Sequence, residues 1–131
     1  MSTHIMDLKN AAVIGTSLAP QARTATANGS GVDLQAGGGG SSFAILDVGT
    51  ATDGTHAIKL QESKNDNTAD PEAADAYADI TGATFTEPAA NTPQVINFKR
   101  SKRWVRAVST IATATTGKVY GVLIGSPKKI E

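Results

Sequence analysis

The chain has 131 residues, with 12 Lys and Arg balancing 12 Asp and Glu, and no cysteine. That length predicts one domain able to bury its own core. Zero net charge argues against a dedicated nucleic-acid binder, and the lack of Cys excludes a disulfide framework, a thiolate metal site and a Cys nucleophile.

No apolar run reaches the ~20 residues that a membrane helix needs, and residues 1–10 lack the charged start and apolar stretch of a signal peptide. Gly and small side chains abound while aromatics make up only 5%, so the core is expected from Val, Ile, Leu and Ala. A thin core of this kind predicts marginal stability as a monomer and burial against a partner.

In chain order, residues 1–20 show no clean period and are read as an N-terminal arm, with Asp7 to Gly15 open between a short helix and an edge strand. Gln21 to Ala27 alternates small apolar and polar residues, Asn28-Gly29 is a turn pair, and Val32 to Gln35 alternates again, which predicts a hairpin. The tract Gly37-Gly38-Gly39-Gly40-Ser41-Ser42 lacks the Lys of a phosphate loop and reads as a surface loop. Phe43 to Gly49 reads as a buried strand, turned by Asp53-Gly54 into a return strand, Thr55 to Gln61, with His56, Ile58 and Leu60 on one face.

The acidic stretch Glu62 to Glu72 fails the calcium-loop spacing and reads as a solvated loop. Ala73 to Ile80 is ambiguous between helix and strand, and Thr84-Phe85-Thr86 is a short strand stopped by Pro88. Gln94 to Phe98 is another strand. Trp104 to Ile111 and Val119 to Ile124 then predict a hairpin around a small-residue loop, before a charged tail at 128–131. About eight short strands with frequent turn signals indicate an all-β fold, an antiparallel β-sandwich or barrel spanning 21–127.

Catalytic patterns are missing. Of two histidines, His4 lies in the arm and His56 on a strand, where packing is its expected role; Gly15 to Ala19 lacks the second glycine of a nucleophile elbow. A carboxylate pair brought together from distant strands stays open at this level. No enzyme, cofactor or metal is expected.

The strongest local feature is basic: Lys99, Arg100, Lys102, Arg103 and Arg106, expected to meet an acidic protein surface rather than nucleic acid, because only Trp104 could stack. Along the strand Arg103, Val105, Ala107, Ser109 and Ile111 are expected to face the core, leaving Trp104 and Arg106 outside. The strand Val119 to Ile124 is apolar on both faces, so it is either centrally covered or part of a subunit interface, expected at Trp104, Tyr120, Val122 and Ile124.

Several segments in order resemble small structural proteins of tailed bacteriophages: Val32 to Gln35, Ala44 to Gly49, Gly54 to Ser63, Ser101 to Ala107, and Val119 to Pro127. The chain looks like a capsid decoration, or cement, protein. That resemblance covers about residues 30–127. It implies a sandwich of jelly-roll type, a homodimer or homotrimer, no enzymatic activity, and attachment to the major capsid protein on the outer surface of the virion. The Asn97 to Arg100 run is more basic than that pattern. A carbohydrate- or receptor-binding β-sandwich of a phage particle is the alternative.

Overall fold

A computed structural model describes residues 11–34, 41–64 and 77–127. Nine strands are seen: β1 Ala12–Arg23, β2 Ala27–Asn28, β3 Val32–Asp33, β4 Ser41–Ala51, β5 Thr55–Ser63, β6 Ala78–Thr84, β7 Gln94–Lys99, β8 Trp104–Ala112 and β9 Lys118–Pro127. They form two antiparallel sheets. The four-stranded sheet has the order β1-β9-β4-β7; the five-stranded sheet has β2-β8-β5-β6, with β3 also on β8. The expected all-β sandwich is present. The phosphate-loop and calcium-loop questions at Gly37–Gly40 and in 65–72, the assignment of 73–76, residues 1–10 and the tail at 128–131 lie outside the described residues.

Period-2 alternation produces the layers. On β4, Ala44, Leu46 and Val48 point inward; on β5, His56, Ile58 and Leu60; on β8, Val105, Ala107 and Ser109; on β9, Tyr120, Val122 and Ile124. All of these except the buried polar His56 and Ser109 join Leu18, Leu34, Phe85 and Phe98 in one apolar core between the sheets. The expected face of β8 is thus the buried one, except that Arg103 is exposed and Ile111 half-buried at its ends, while Val108 is buried on the opposite side.

Two expected hairpins are instead connections between sheets, and a third is no reversal at all. β8 pairs with β2, β3 and β5, whereas β9 pairs with β1 and β4, so Trp104–Ala112 and Lys118–Pro127 lie in different layers. The Asp53-Gly54 turn likewise carries the chain from β4 in one sheet to β5 in the other. Around Asn28-Gly29 there is no reversal: β2 and β3 both run along β8.

Gly29 is needed there for close approach rather than for a turn. Its N–H donates to Ala107 O at 2.7 Å, and an added Cβ would collide with Ser17 Oγ and with backbone oxygens. Ser17 sits at a register break in β1 and reaches across to the other sheet. Its hydroxyl accepts from Ala107 N–H and donates to Ser30 O, both at 2.8 Å. A bulge that re-aims one side chain in this way ties the two layers at this edge.

The boundary expected at residue 20 also moves. Ala12 to Pro20 belongs to β1, the edge strand of the four-stranded sheet, so the sandwich begins by residue 12. Likewise β6 spans Ala78–Thr84, and Phe85-Thr86 lies just past its end.

Candidate interaction surface

The two outer faces differ in chemistry. On the four-stranded sheet, register aligns side chains in rows across the strands. One row joins Thr16, Leu123, Ile45 and Val95; the next joins Ile14, Gly125, Phe43 and Asn97. Among the described residues, the exposed large hydrophobics are Ile14 (41%), Val95 (63%) and Leu123 (37%), and all three stand in these two rows. Phe43 and Ile45, half-buried, fill the middle. A Cβ on Gly125 would overlap the Phe43 ring, so the glycine lets that ring lie flat across β9. The result is a low apolar surface. One row beyond it on one side β4 carries Asp47, and one row beyond on the other β7 carries Lys99, paired with Ser41.

The outer face of the five-stranded sheet is polar. Arg106 donates from Nε and Nη2 to Gln61 Oε1 at 3.0 and 2.9 Å, and Gln61 Nε2 donates to Asp79 at 2.9 Å. Lys59 also pairs with Asp79, at 3.0 Å. The Gln61 and Lys59 donors hold the Asp79 carboxyl below its usual range. The Arg106 guanidinium lies 4.1 Å from the centre of the Tyr77 ring, and that of Arg103 lies 5.1 Å from Trp104, at cation–π distance. An open groove of about 310 Å³ lined by Ala57, Ile58, Lys59, Thr84, Phe85 and Thr110 lies on the same sheet.

The basic cluster is divided by the fold. Arg100 donates to Ser42 Oγ (3.2 Å), Lys102 O (3.1 Å) and Leu34 O (2.8 Å), pinning β4 and the end of β3 to the β7–β8 loop. Burial lowers its pKa, against the opposing pull of Glu62 and Asp33. It is therefore a structural clamp, and the expectation that it offers free charge to a partner is corrected. Arg103 grips Asp33 with two bonds at 2.9 and 2.8 Å. Glu62 accepts the N–H groups of Ser101 (2.8 Å) and Lys102 (3.3 Å), which fixes the loop. Among the described residues, Lys99 and Lys102 have no ion-pair partner for their ammonium groups.

The expected subunit interface also needs correction. Tyr120, Val122 and Ile124 are at most 1% exposed and pack against the other sheet, so they cannot meet a partner. Only Trp104 of that set reaches the surface, half-buried. What is offered on β9 is its opposite face, Leu123 and the half-buried Val119.

At one end of the core lies a buried polar chain. His56 Nε2 is 3.2 Å from Asp53 O, and its Nδ1 is 3.0 Å from Tyr120 OH, which in turn meets Ser109 Oγ closely. A carbonyl only accepts, so Nε2 carries hydrogen; in the neutral ring Nδ1 then accepts from Tyr120, and Ser109 donates to Tyr120. Burial pushes the Tyr120 phenol above its ordinary pKa, opposed by the Ser109 bond and Arg23. Glu87 accepts the His56 N–H at 3.0 and 3.1 Å and pairs with Lys118 at 2.6 Å. His56 is thus packed and hydrogen-bonded, as its strand position predicts. Asp53 accepts from the N–H groups of Thr115 (3.1 Å), Thr116 (3.2 Å) and Gly117 (2.6 Å). These bonds, Gly117 foremost, hold its carboxyl below the usual range.

Sequence reasoning missed Ile14, Phe43, Ile45 and Val95. A signal was present in β4: Phe43-Ala44-Ile45-Leu46 is apolar on both faces, as β9 is, and two adjacent strands of that kind mark a covered sheet. Comparison with family models, curated proteins and solved structures returned no match.

Proposed function

We propose that this chain is a structural virion protein of a tailed bacteriophage, a decoration or cement protein that binds the major capsid protein on the outer capsid surface and stabilises the shell. The observation that carries this reading is the gathering of exposed large hydrophobics on the outer face of the four-stranded sheet, the surface of a protein that works within an assembly. The strand order supports the jelly-roll reading. Counting β2 and β3 as one interrupted strand gives eight strands, with β1-β9-β4-β7 facing β2/β3-β8-β5-β6. In this reading Lys102, Arg103 and Arg106, with Trp104, face the capsid from the five-stranded sheet and its adjoining loop. Attachment of an oligomer multiplies a modest affinity per copy.

The test is co-sedimentation of the purified protein with undecorated capsids. Saturable binding at a fixed ratio to capsomers is expected. Lys102→Glu should weaken it at low salt and lose its effect at high salt, as the Debye length falls from ~10 Å at 0.1 M to ~3 Å at 1 M. A protein that stays in the supernatant at every salt concentration refutes the proposal. The alternative, a carbohydrate- or receptor-binding module, draws on Trp104 and Tyr77, each beside an Arg on the outer side of the five-stranded sheet. Binding on a glycan array, without binding to capsids, would favour it.

A further inference from the structure

We propose that the outer face of the four-stranded sheet is a two-fold self-interface, occupied by the same face of a second copy, with Asp47 of each chain set against Lys99 of the other. Outward positions on β4 run Ser41, Phe43, Ile45, Asp47, and on β7 they run Lys99, Asn97, Val95; Ser41 pairs with Lys99, Phe43 with Asn97 and Ile45 with Val95. The apolar rows are therefore the two central ones, flanked by a cationic row and an anionic row.

Consider a two-fold axis lying across the strands, midway between the Phe43 and Ile45 rows. It turns the sheet face onto itself and exchanges the ends. The Phe43 row of one copy then meets the Ile45 row of the other, and the Asp47 row meets the row of Lys99 and Ser41. β4 and β7 are adjacent strands, ~4.8 Å apart, so the opposed charges come within side-chain reach. Within one chain the same two residues are three rows apart, about 20 Å, too far to pair. Among the described residues neither has an ion-pair partner. The symmetry produces two such pairs, and both satisfy the isologous rule that if one residue meets another, the second meets the first.

Size is compatible with this occupant. Four strands are ~19 Å wide and four rows ~20 Å tall, so a pair of faces covers about 800 Å² in projection and about 1,000 Å² with side-chain relief, the lower end of specific interfaces. Packed sheets with strands within ~30° of each other and ~10 Å apart are an ordinary arrangement. The centre carries no charge that would be stripped of water, and the Phe43 ring lying over Gly125 leaves it flat.

This inference does not rest on the capsid reading, and its test contains no capsid. Sedimentation velocity is run across protein concentration on the wild type, Asp47→Lys, Lys99→Asp and the double variant. The wild type is expected to dimerise at micromolar concentration. Each single reversal places like charges together twice and should weaken the dimer by about tenfold or more. The double variant restores both pairs with the charges exchanged and should return to within about threefold of the wild type. Ile45→Asp should leave only monomer. At concentrations where every variant is monomeric, melting curves of the charge variants should match the wild type, since both side chains are exposed. A wild type that is monomeric to about 100 μM, a trimer, single reversals without effect, or a double variant weaker than either single would each overturn the proposal.

Discussion

Replacing Tyr120 by Phe tests the buried polar chain with almost no change of shape. The phenol oxygen is the middle link: it donates to His56 Nδ1 and accepts from Ser109. Without it, two groups in a region at most 2% exposed lose their partner and find no water. An unsatisfied buried polar group costs about 1–3 kcal/mol, so the pair should cost about 2–4 kcal/mol. Ser109→Ala is the informative companion. It removes a donor but leaves Tyr120 bonded to His56, so it should cost only about 1 kcal/mol. For a domain of this size 1 kcal/mol moves Tm by roughly 3–5 °C, so Tyr120→Phe should melt about 10 °C below the wild type and Ser109→Ala about 4 °C below it. Calorimetry with urea titration is the assay, and an unchanged m-value would place the effect in the native state. Equal losses in the two variants, or a Tyr120→Phe loss under about 0.5 kcal/mol, would refute the donor directions assigned here. The phenol also has a raised folded-state pKa, so the stability it contributes is complete below its unfolded pKa near 10.0 and is lost as pH rises through the higher folded value. Tyr120→Phe should lack that alkaline loss.

Arg100→Met should cost about 2 kcal/mol, since three acceptors lose a charged donor, while Lys99→Ala should stay within about 0.5 kcal/mol; urea denaturation separates the two members of the cluster. Gly117→Ala should destabilise by about 2 kcal/mol or more, because φ is +80° and the added Cβ would strike Arg23 O; a Tm within error of the wild type would contradict this. Asp53→Asn should lower stability near neutral pH and flatten its acid limb. The folded carboxyl lies below 3.8, so its contribution is full above the unfolded pKa and fades as pH falls through the folded value; acid titrations of wild type and variant should converge at the low end.

Strand existence was legible wherever period-2 alternation was strong. β4, β5, β7, β8 and β9 fall where the residues place them, with the expected inward face on β8 and with His56, Ile58 and Leu60 of β5 sharing one face as read. β1 was hidden because its two register breaks interrupt the alternation, and Pro20 within it reads as a stop. Pairing was not legible at all. Asp53-Gly54 and Asn28-Gly29 announce a special backbone position but not the sheet that the chain enters next. What decides the first is remote: the Asp53 carboxylate holds the N–H groups of residues 115–117, and Thr52 N–H donates to Gly117 O at 3.1 Å, so the β4–β5 and β8–β9 connections brace one another as a pair.

The same distance in sequence explains the basic cluster and leads to the division of labour between the faces. Five cations within eight residues look like a patch only while their partners are unknown. Asp33 lies 70 residues from Arg103, Leu34 lies 66 from Arg100, and Gln61 lies 45 from Arg106. Folding brings these acceptors in and spends much of the charge on closing one end of the sandwich and lacing the five-stranded sheet. A sheet already laced by Arg106, Gln61, Asp79 and Lys59 gains little from apolar cover, whereas the four-stranded sheet ends in bare Val95, Leu123 and Ile14 side chains whose burial would remove apolar surface from water at roughly 25 cal/mol per Å². The two faces therefore suit different partners: the apolar one a close-packed neighbour, and the polar one a contact tuned by salt.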